Sequence, residues 1–212
     1  MQIAILLYDR FTALDAVGPY EILAGLPDAE VVFTAARTGP VRADTGFLSL
    51  VADASLAEVT SPDILLVPGG PGQPTVMSDE ALLDWIRRVD ATTTWTTSVC
   101  SGSLILAGAG LLKGRRATSH WLALDRLPEH GAVPSTDRTV IDGKYATAAG
   151  VSAGIDLALL LAGRIAGDQV AQAIQLMTEY APEPPYGAGS PATAPAHLVA
   201  AMRARSAEFL GA

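Results

Sequence analysis

The sequence predicts a doubly wound, flavodoxin-like α/β sandwich with a mostly parallel sheet and a nucleophile elbow. Two observations carry the sandwich and a third carries the elbow. Short apolar runs alternate with amphipathic segments along the chain. The apolar runs are too short for helices and read as strands buried on both faces, the pattern of a parallel sheet covered by helices. Finally, Trp95–Val99 passes into Ser101–Leu112 almost without a loop, which thrusts Cys100 out at a strand-to-helix turn.

Taken in order, Gln2–Leu7 is a short buried strand closed by Tyr8-Asp9-Arg10. Ala16–Leu26 reads as a helix stopped near Pro27, and Val31–Ala35 as a second strand. Val41–Asp44 and Leu48–Ala52 form a hairpin with Thr45-Gly46 in its turn. Ile64–Val67 is wholly apolar and ends in Pro68-Gly69-Gly70-Pro71-Gly72. Asp79–Val89 places Leu82, Leu83, Ile86 and Val89 on one helical face. After the elbow, Asp142-Gly143 marks another hairpin, and Val151–Ile165 and Gln169–Tyr180 are helical. The proline- and glycine-rich stretch Ala181–Pro195 is an extended loop, followed by a helix over Ala196–Leu210.

Composition narrows the function. The 212 residues are read as one domain spanning 1–212. Fourteen basic residues against 22 acidic ones leave a net charge of −8, with no basic excess to neutralise phosphates. Nucleic acid and anionic membrane are therefore not expected partners. Half the residues are hydrophobic and 17% are charged, the reverse of a disordered composition. The single cysteine, Cys100, makes neither an internal disulfide nor a cysteine-based zinc site. No secretory leader or membrane-length apolar run is evident, so a cytoplasmic location is expected.

Ligands of open parallel sheets bind outside the carboxyl ends of the strands. Three unusual segments fall there. In Ser98-Val99-Cys100-Ser101-Gly102-Ser103, small neighbours relieve crowding, and helix N–H groups are expected to lower the thiol pKa. The plainer reading is a small buried hydrophobe. In Leu14-Asp15-Ala16, the acid is either a helix N-cap or a partly buried carboxyl that shares a proton with a thiolate. The Pro68–Gly72 segment is either a plain turn or a nest of N–H groups facing negative charge, with Gly70 and Gly72 the expected donors. It lacks the ending of a phosphate loop. Among the histidines, His120 is placed near the cleft, whereas His130 and His197 read as solvated. No His pairs with Asp or Glu at metal-ligand spacing, so no metal is expected.

Together these segments resemble the ThiJ/PfpI superfamily, over nearly the whole chain. The likeness is carried by Leu14-Asp15-Ala16-Val17-Gly18-Pro19-Tyr20-Glu21, Val67-Pro68-Gly69-Gly70, and the elbow through Leu104. It continues in Arg116-Ala117-Thr118-Ser119-His120-Trp121 and Gly150-Val151-Ser152-Ala153-Gly154-Ile155-Asp156. The tail Glu179-Tyr180-Ala181-Pro182-Glu183-Pro184-Pro185-Tyr186 narrows it to the isonitrile-hydrating branch. The resemblance implies a homodimer, Cys100 as nucleophile and Asp15 as its acidic partner, where most of the superfamily has Glu. It implies a small isonitrile substrate and neither redox nor metal cofactor. Gly70, Gly72 and the Ser101 hydroxyl would orient water or the thiolate, with His120 and Val151 in the pocket. Ser101 departs from the branch's usual Thr, and Ser119 from a second Thr. Two other functions remain open: a glyoxalase-like enzyme acting on 2-oxoaldehydes, and a non-catalytic cysteine-based sensor like those fused to DNA-binding regions.

Overall fold

The structure, a computed structural model, describes residues 1–211. Strand β1 (Gln2–Leu6) leads through helix α1 (Ala13–Leu23) to β2 (Glu30–Ala35). A hairpin of β3 (Gly39–Arg42) and β4 (Ser49–Ala52) follows, then the short β5 (Ala54–Ser55) and β6 (Ile64–Val67). Helices α2 (Gln73–Ser78) and α3 (Glu80–Asp90) precede β7 (Trp95–Val99), and α4 (Gly102–Gly108) succeeds it. Beyond lie β8 (Arg116–Ala117), a 3-10 turn over Leu124–His130, and β9 (Val133–Pro134). The hairpin β10 (Thr139–Asp142) and β11 (Tyr145–Ala148) leads to α5 (Ala153–Ala166), α6 (Asp168–Met177), α7 (Ala196–Ala204) and α8 (Ser206–Leu210).

The main sheet has seven strands in the order β10-β11-β7-β6-β1-β2-β5, and every neighbouring pair but β10–β11 is parallel. This is the flavodoxin-like sandwich expected from the alternation of apolar runs. From β1 the chain steps outward to β2, and from β6 it steps the opposite way to β7. Right-handed crossovers then put α1 and α3 on opposite faces. The contacts agree: α1, α5 and α6 pack together, as do α2, α3 and α4. The continuous apolar runs of β1 and β6 follow from burial on both faces, and all of Ile64–Val67 is buried. The reversal of direction falls between β1 and β6, so a crevice opens at their carboxyl ends.

The element ends differ from the sequence pattern where single residues take special conformations. Helix α1 begins at Ala13, three residues before the expected Ala16, because Thr12 supplies the extended backbone of a cap. Helix α4 stops at Gly108 rather than Leu112, and Gly110 then turns left-handed. Helix α5 starts at Ala153, because Val151 is left-handed with φ 39°. The expected helix over Ala196–Leu210 is broken at Arg205, whose backbone leaves the helical region. Helix α2, the strand pair β8–β9 and the 3-10 turn had no periodic signal. Among the described residues, no helix is long and apolar enough to cross a membrane.

At the end of the sheet away from the crevice, Asp90 closes α3 onto two strands. Its carboxylate accepts from Thr96 at 2.6 Å and Tyr145 at 3.1 Å, and pairs with Lys144 at 3.2 Å. Removing one partner of such a buried cluster leaves the others unpaired, at a cost of about 3 kcal/mol. Asp90→Ala is therefore expected to lower Tm by roughly 6–12 °C in a chain of this length. Asp90→Asn, which keeps one acceptor oxygen, falls less. Thermal denaturation followed by circular dichroism measures both.

Candidate active site

Three loops meet at the crevice, and hydrogen bonds stitch the first two together. Thr12 N–H donates to Gly69 O at 2.8 Å, and Gly72 N–H donates to Arg10 O at 3.3 Å. Gly69 N–H donates to Asp15 Oδ2 at 2.8 Å, a buried bond between residues 54 apart in sequence. The buried Tyr8 hydroxyl holds the same turn by donating to Pro68 O at 2.9 Å. Asp15 is thus the third residue of α1, fully buried, and faces the turn. The N-cap reading of Asp15 is incorrect: Thr12 occupies the cap position, and its hydroxyl donates to Asp44 Oδ2 at 2.8 Å instead of capping the helix.

The third loop is the elbow. Cys100 has φ 59°, a left-handed backbone that a residue with a side chain adopts at a cost of about 1–2 kcal/mol. The surroundings compensate. Cys100 N–H reaches Ala148 O and Ala149 O, and its carbonyl accepts from the hydroxyls of Ser103 at 3.2 Å and Ser119 at 3.0 Å. The loop after β6 runs so close that a Cβ on Gly69 would stand 2.5 Å from Ser101 N. Glycine is required there for the approach itself.

The thiol and the acid form one electrostatic unit. Burial pushes the Asp15 carboxyl up to about 7, against the opposing pull of Gly69 N–H and the Cys100 thiol. Asp15 Oδ1 is buried with no hydrogen-bond partner, whereas Oδ2 is filled by Gly69 N–H. Burial also pushes Cys100 well above its ordinary range, and the neighbouring Asp15 charge adds to this. The N–H groups of Ser101 and Val151 pull the thiol the other way, as the elbow reading anticipated, but burial outweighs them. A freely ionised thiolate is therefore not the resting state. Burial thus disfavours the charged form of each group, and two such neighbours titrate as a coupled pair.

A cavity of about 250 Å³ opens onto Cys100, lined also by Gly70, Ser101, His120 and Val151. Asp15, fully buried, is not among the residues that line it. Gly72 is misassigned as an oxyanion donor: its N–H is occupied by Arg10 O, and it does not line the cavity. Gly70 does line it, but its N–H donates to Ser101 Oγ at 3.0 Å, which frees the Ser101 proton for a guest. His120 is held neutral by burial, and its Nδ1 accepts from Leu122 N–H at 3.3 Å, so Nε2 carries the proton. Sequence reasoning missed Thr12, Asp44, Phe209 and Leu210 on the walls, Gly69 as the partner of Asp15, and the Val151 N–H as a donor to sulfur. For Val151 the missing signal is its φ of 39°, which a β-branched residue does not announce.

A sequence profile described as the DJ-1/PfpI family matches residues 1–163. An isonitrile hydratase of Pseudomonas putida is 46% identical over 210 residues, covering 99% of this chain and 92% of the relative. An HTH-type transcriptional regulator of Pseudomonas aeruginosa is 38% identical over 135 residues, covering 63% of this chain and 40% of the regulator. The solved structure of a ThiJ/PfpI family protein from Pseudomonas syringae superimposes with a TM-score of 0.95 at 42% identity, covering 99% of this chain and 87% of that one.

The raised pKa of Asp15 beside Cys100 has a measurable signature. Below about pH 7 Asp15 is protonated and has no capacity to take the thiol proton. Alkylation of Cys100 by iodoacetamide is therefore expected to accelerate as pH rises through about 7. In Asp15→Asn that inflection disappears, and reactivity rises only at the higher pH where the thiol ionises alone. Stopped alkylation time courses from pH 5 to 10 compare the two proteins.

Proposed function

Because the chain belongs to the DJ-1/PfpI family, we propose that it hydrates isonitriles to N-substituted formamides through a thioimidate on Cys100, with Asp15 as the proton carrier. One observation supports the reading: a fully buried carboxyl neighbours a cysteine that opens onto a small cavity. The near-full-length likeness to the Pseudomonas putida hydratase supplies the substrate class. We read residues 1–212 as one unit of this family.

The chemistry suits that pair. The terminal carbon of R–N≡C accepts both a nucleophile and a proton. Proton transfer from sulfur to Asp15 gives the reactive ion pair, thiolate and carboxylic acid. Sulfur attacks the carbon while Asp15 protonates it, forming R–N=CH–S–Cys and leaving Asp15 ionised. The carboxylate then takes a proton from water as the water oxygen adds to that carbon, and passes the proton to nitrogen. Collapse of R–NH–CH(OH)–S–Cys returns the hydroxyl proton to Asp15, expels the thiolate and releases R–NH–CHO. Each cycle ends with the pair as it began, one water having been consumed. The Ser101 and Val151 N–H groups stabilise sulfur whenever it is anionic, and the Ser101 hydroxyl and neutral His120 orient the water.

The same reading includes a homodimer in the cytoplasm. The homodimer is supported by three exposed apolar side chains, Leu176 and Met177 at the end of α6 and Tyr186 in the following loop. Large exposed apolar side chains of this kind suit an isologous interface between two copies. Sedimentation at micromolar concentration is expected to give a dimer, and a monomer there would count against it.

The catalytic test is direct. Incubation with an aromatic isonitrile is expected to yield the formamide, while methylglyoxal is not converted. The opposite pattern would replace this reading with glyoxalase-like chemistry, and no turnover of either would favour a sensor. Cys100→Ala is expected to abolish turnover with Tm nearly unchanged. Asp15→Asn is expected to slow it about 10²–10⁴-fold, the usual effect of losing a general acid-base group.

A further inference from the structure

Resting on the reading of Asp15 as the acid of the site, we infer that Tyr8 is a positioning residue for it, acting through the one peptide unit that joins Pro68 to Gly69. That unit carries a hydrogen bond at each end. Tyr8 O–H donates to the Pro68 carbonyl at 2.9 Å, and the Gly69 N–H of the same peptide donates to Asp15 Oδ2 at 2.8 Å. Phenol, peptide and carboxyl thus form a single chain in which each bond polarises the next. A donor on the carbonyl draws electrons toward oxygen and leaves the N–H more positive. Asp15 therefore meets a stronger donor than an unassisted peptide would offer.

The chain is held at each link. Tyr8 follows β1 and is buried. Its ring meets Phe11 edge to face, with centres 6.5 Å apart, and a Cβ on Gly72 would stand 3.2 Å from it. The peptide is backed by α4, where a Cβ on Gly102 would stand 2.9 Å from Pro68 O. Among the described residues no other donor reaches that oxygen. Tyr8 does not line the cavity, so its influence on the site passes through Gly69. The other titratable groups around Asp15 act without that peptide. Cys100 neighbours it from the elbow, and Asp44 raises its proton affinity from the β3–β4 hairpin. Asp156 on α5, which packs against α1, is turned to Arg138 and Tyr180. Loss of the phenol hydroxyl thus weakens one specific pull, that of Gly69 N–H, and makes the carboxyl harder to ionise.

The experiment follows the carbon-13 resonance of the Asp15 carboxyl from pH 5 to 10, assigned by its absence from Asp15→Asn. Wild type is expected to titrate near pH 7. Tyr8→Phe keeps the ring and loses the donor, and its midpoint is expected to rise by about half a pH unit, the part of a charge-assisted hydrogen bond that cooperativity supplies. A ring-fluorinated tyrosine in place of Tyr8, kept neutral by burial, is a stronger donor and is expected to lower the midpoint. Alkylation of Cys100 by iodoacetamide gives a second readout. Below the midpoint Tyr8→Phe is expected to react about threefold more slowly than wild type, the rate equivalent of half a unit, and well above it the two converge. Asp90→Asn, which loosens the far end of the sheet, is expected to keep the wild-type midpoint. An unmoved midpoint in Tyr8→Phe overturns the inference. A shift of the same sign in the fluorinated protein, or an equal shift in Asp90→Asn, also overturns it, because either marks general loosening. Opposite shifts in a protein that hydrates no isonitrile support the role of Tyr8, and the hydratase reading alone fails. Hydration with an unmoved midpoint leaves that reading standing without Tyr8.

Discussion

The site depends on one hydrogen bond, from Gly69 N–H to the buried carboxylate of Asp15. It joins the start of α1 to the turn after β6, so it locks together the two loops that flank the reversal of strand direction. With those loops fixed, Gly69 presses against Ser101 and the elbow has no room to shift. The bond also fills one oxygen of the acid, leaving the other without a hydrogen-bond partner. A carboxyl buried without any donor would stay protonated. With one N–H donor, its proton affinity falls back to the range where sulfur competes for the same proton.

That competition explains why the elbow alone does not produce a reactive cysteine. N–H groups at a helix start do favour a thiolate, and those of Ser101 and Val151 do so here. A largely buried sulfur nevertheless loses more in hydration than two dipoles restore. The arrangement trades constant reactivity for conditional reactivity. In the proposed mechanism, charge sits on sulfur only while the proton sits on Asp15, and the proton is then already beside the atom that will need it. For a substrate whose single carbon takes both nucleophile and proton, this coupling places both reagents together at the start.

The parts of the fold carried by local pattern were legible in the sequence. Uninterrupted apolar runs at Ile3–Leu6 and Ile64–Val67 indicated strands buried on both sides, and small residues around Cys100 indicated the elbow. Asp15 and Cys100 stood out because an acid and a thiol are unusual among apolar neighbours at strand ends. The glycine turn stood out as well, but its donors were assigned to Gly70 and Gly72 when Gly69 is the one that meets the acid. Which N–H faces inward depends on how the Arg10 loop docks, a tertiary fact that no local pattern encodes. Asp44 was hidden for the same reason: it sits in a hairpin loop held at the site by its N–H on Phe11 O and by the Thr12 hydroxyl on its carboxylate. Helix α8 was merged with α7 because the break at Arg205 falls on an ordinary helix former.

The position of α8 in the chain also affects how the protein is made. Cys100 lies mid-chain, while Phe209 and Leu210, which share its cavity, follow about 110 positions later. At roughly 5–20 residues per second of synthesis, the sheet and elbow emerge from the ribosome several seconds before the wall that covers them. During that interval the cavity lacks the wall that Phe209 and Leu210 supply. Enclosure of the sulfur therefore follows synthesis of the elbow by many residues, and damage to this cysteine is a risk of birth as much as of later use.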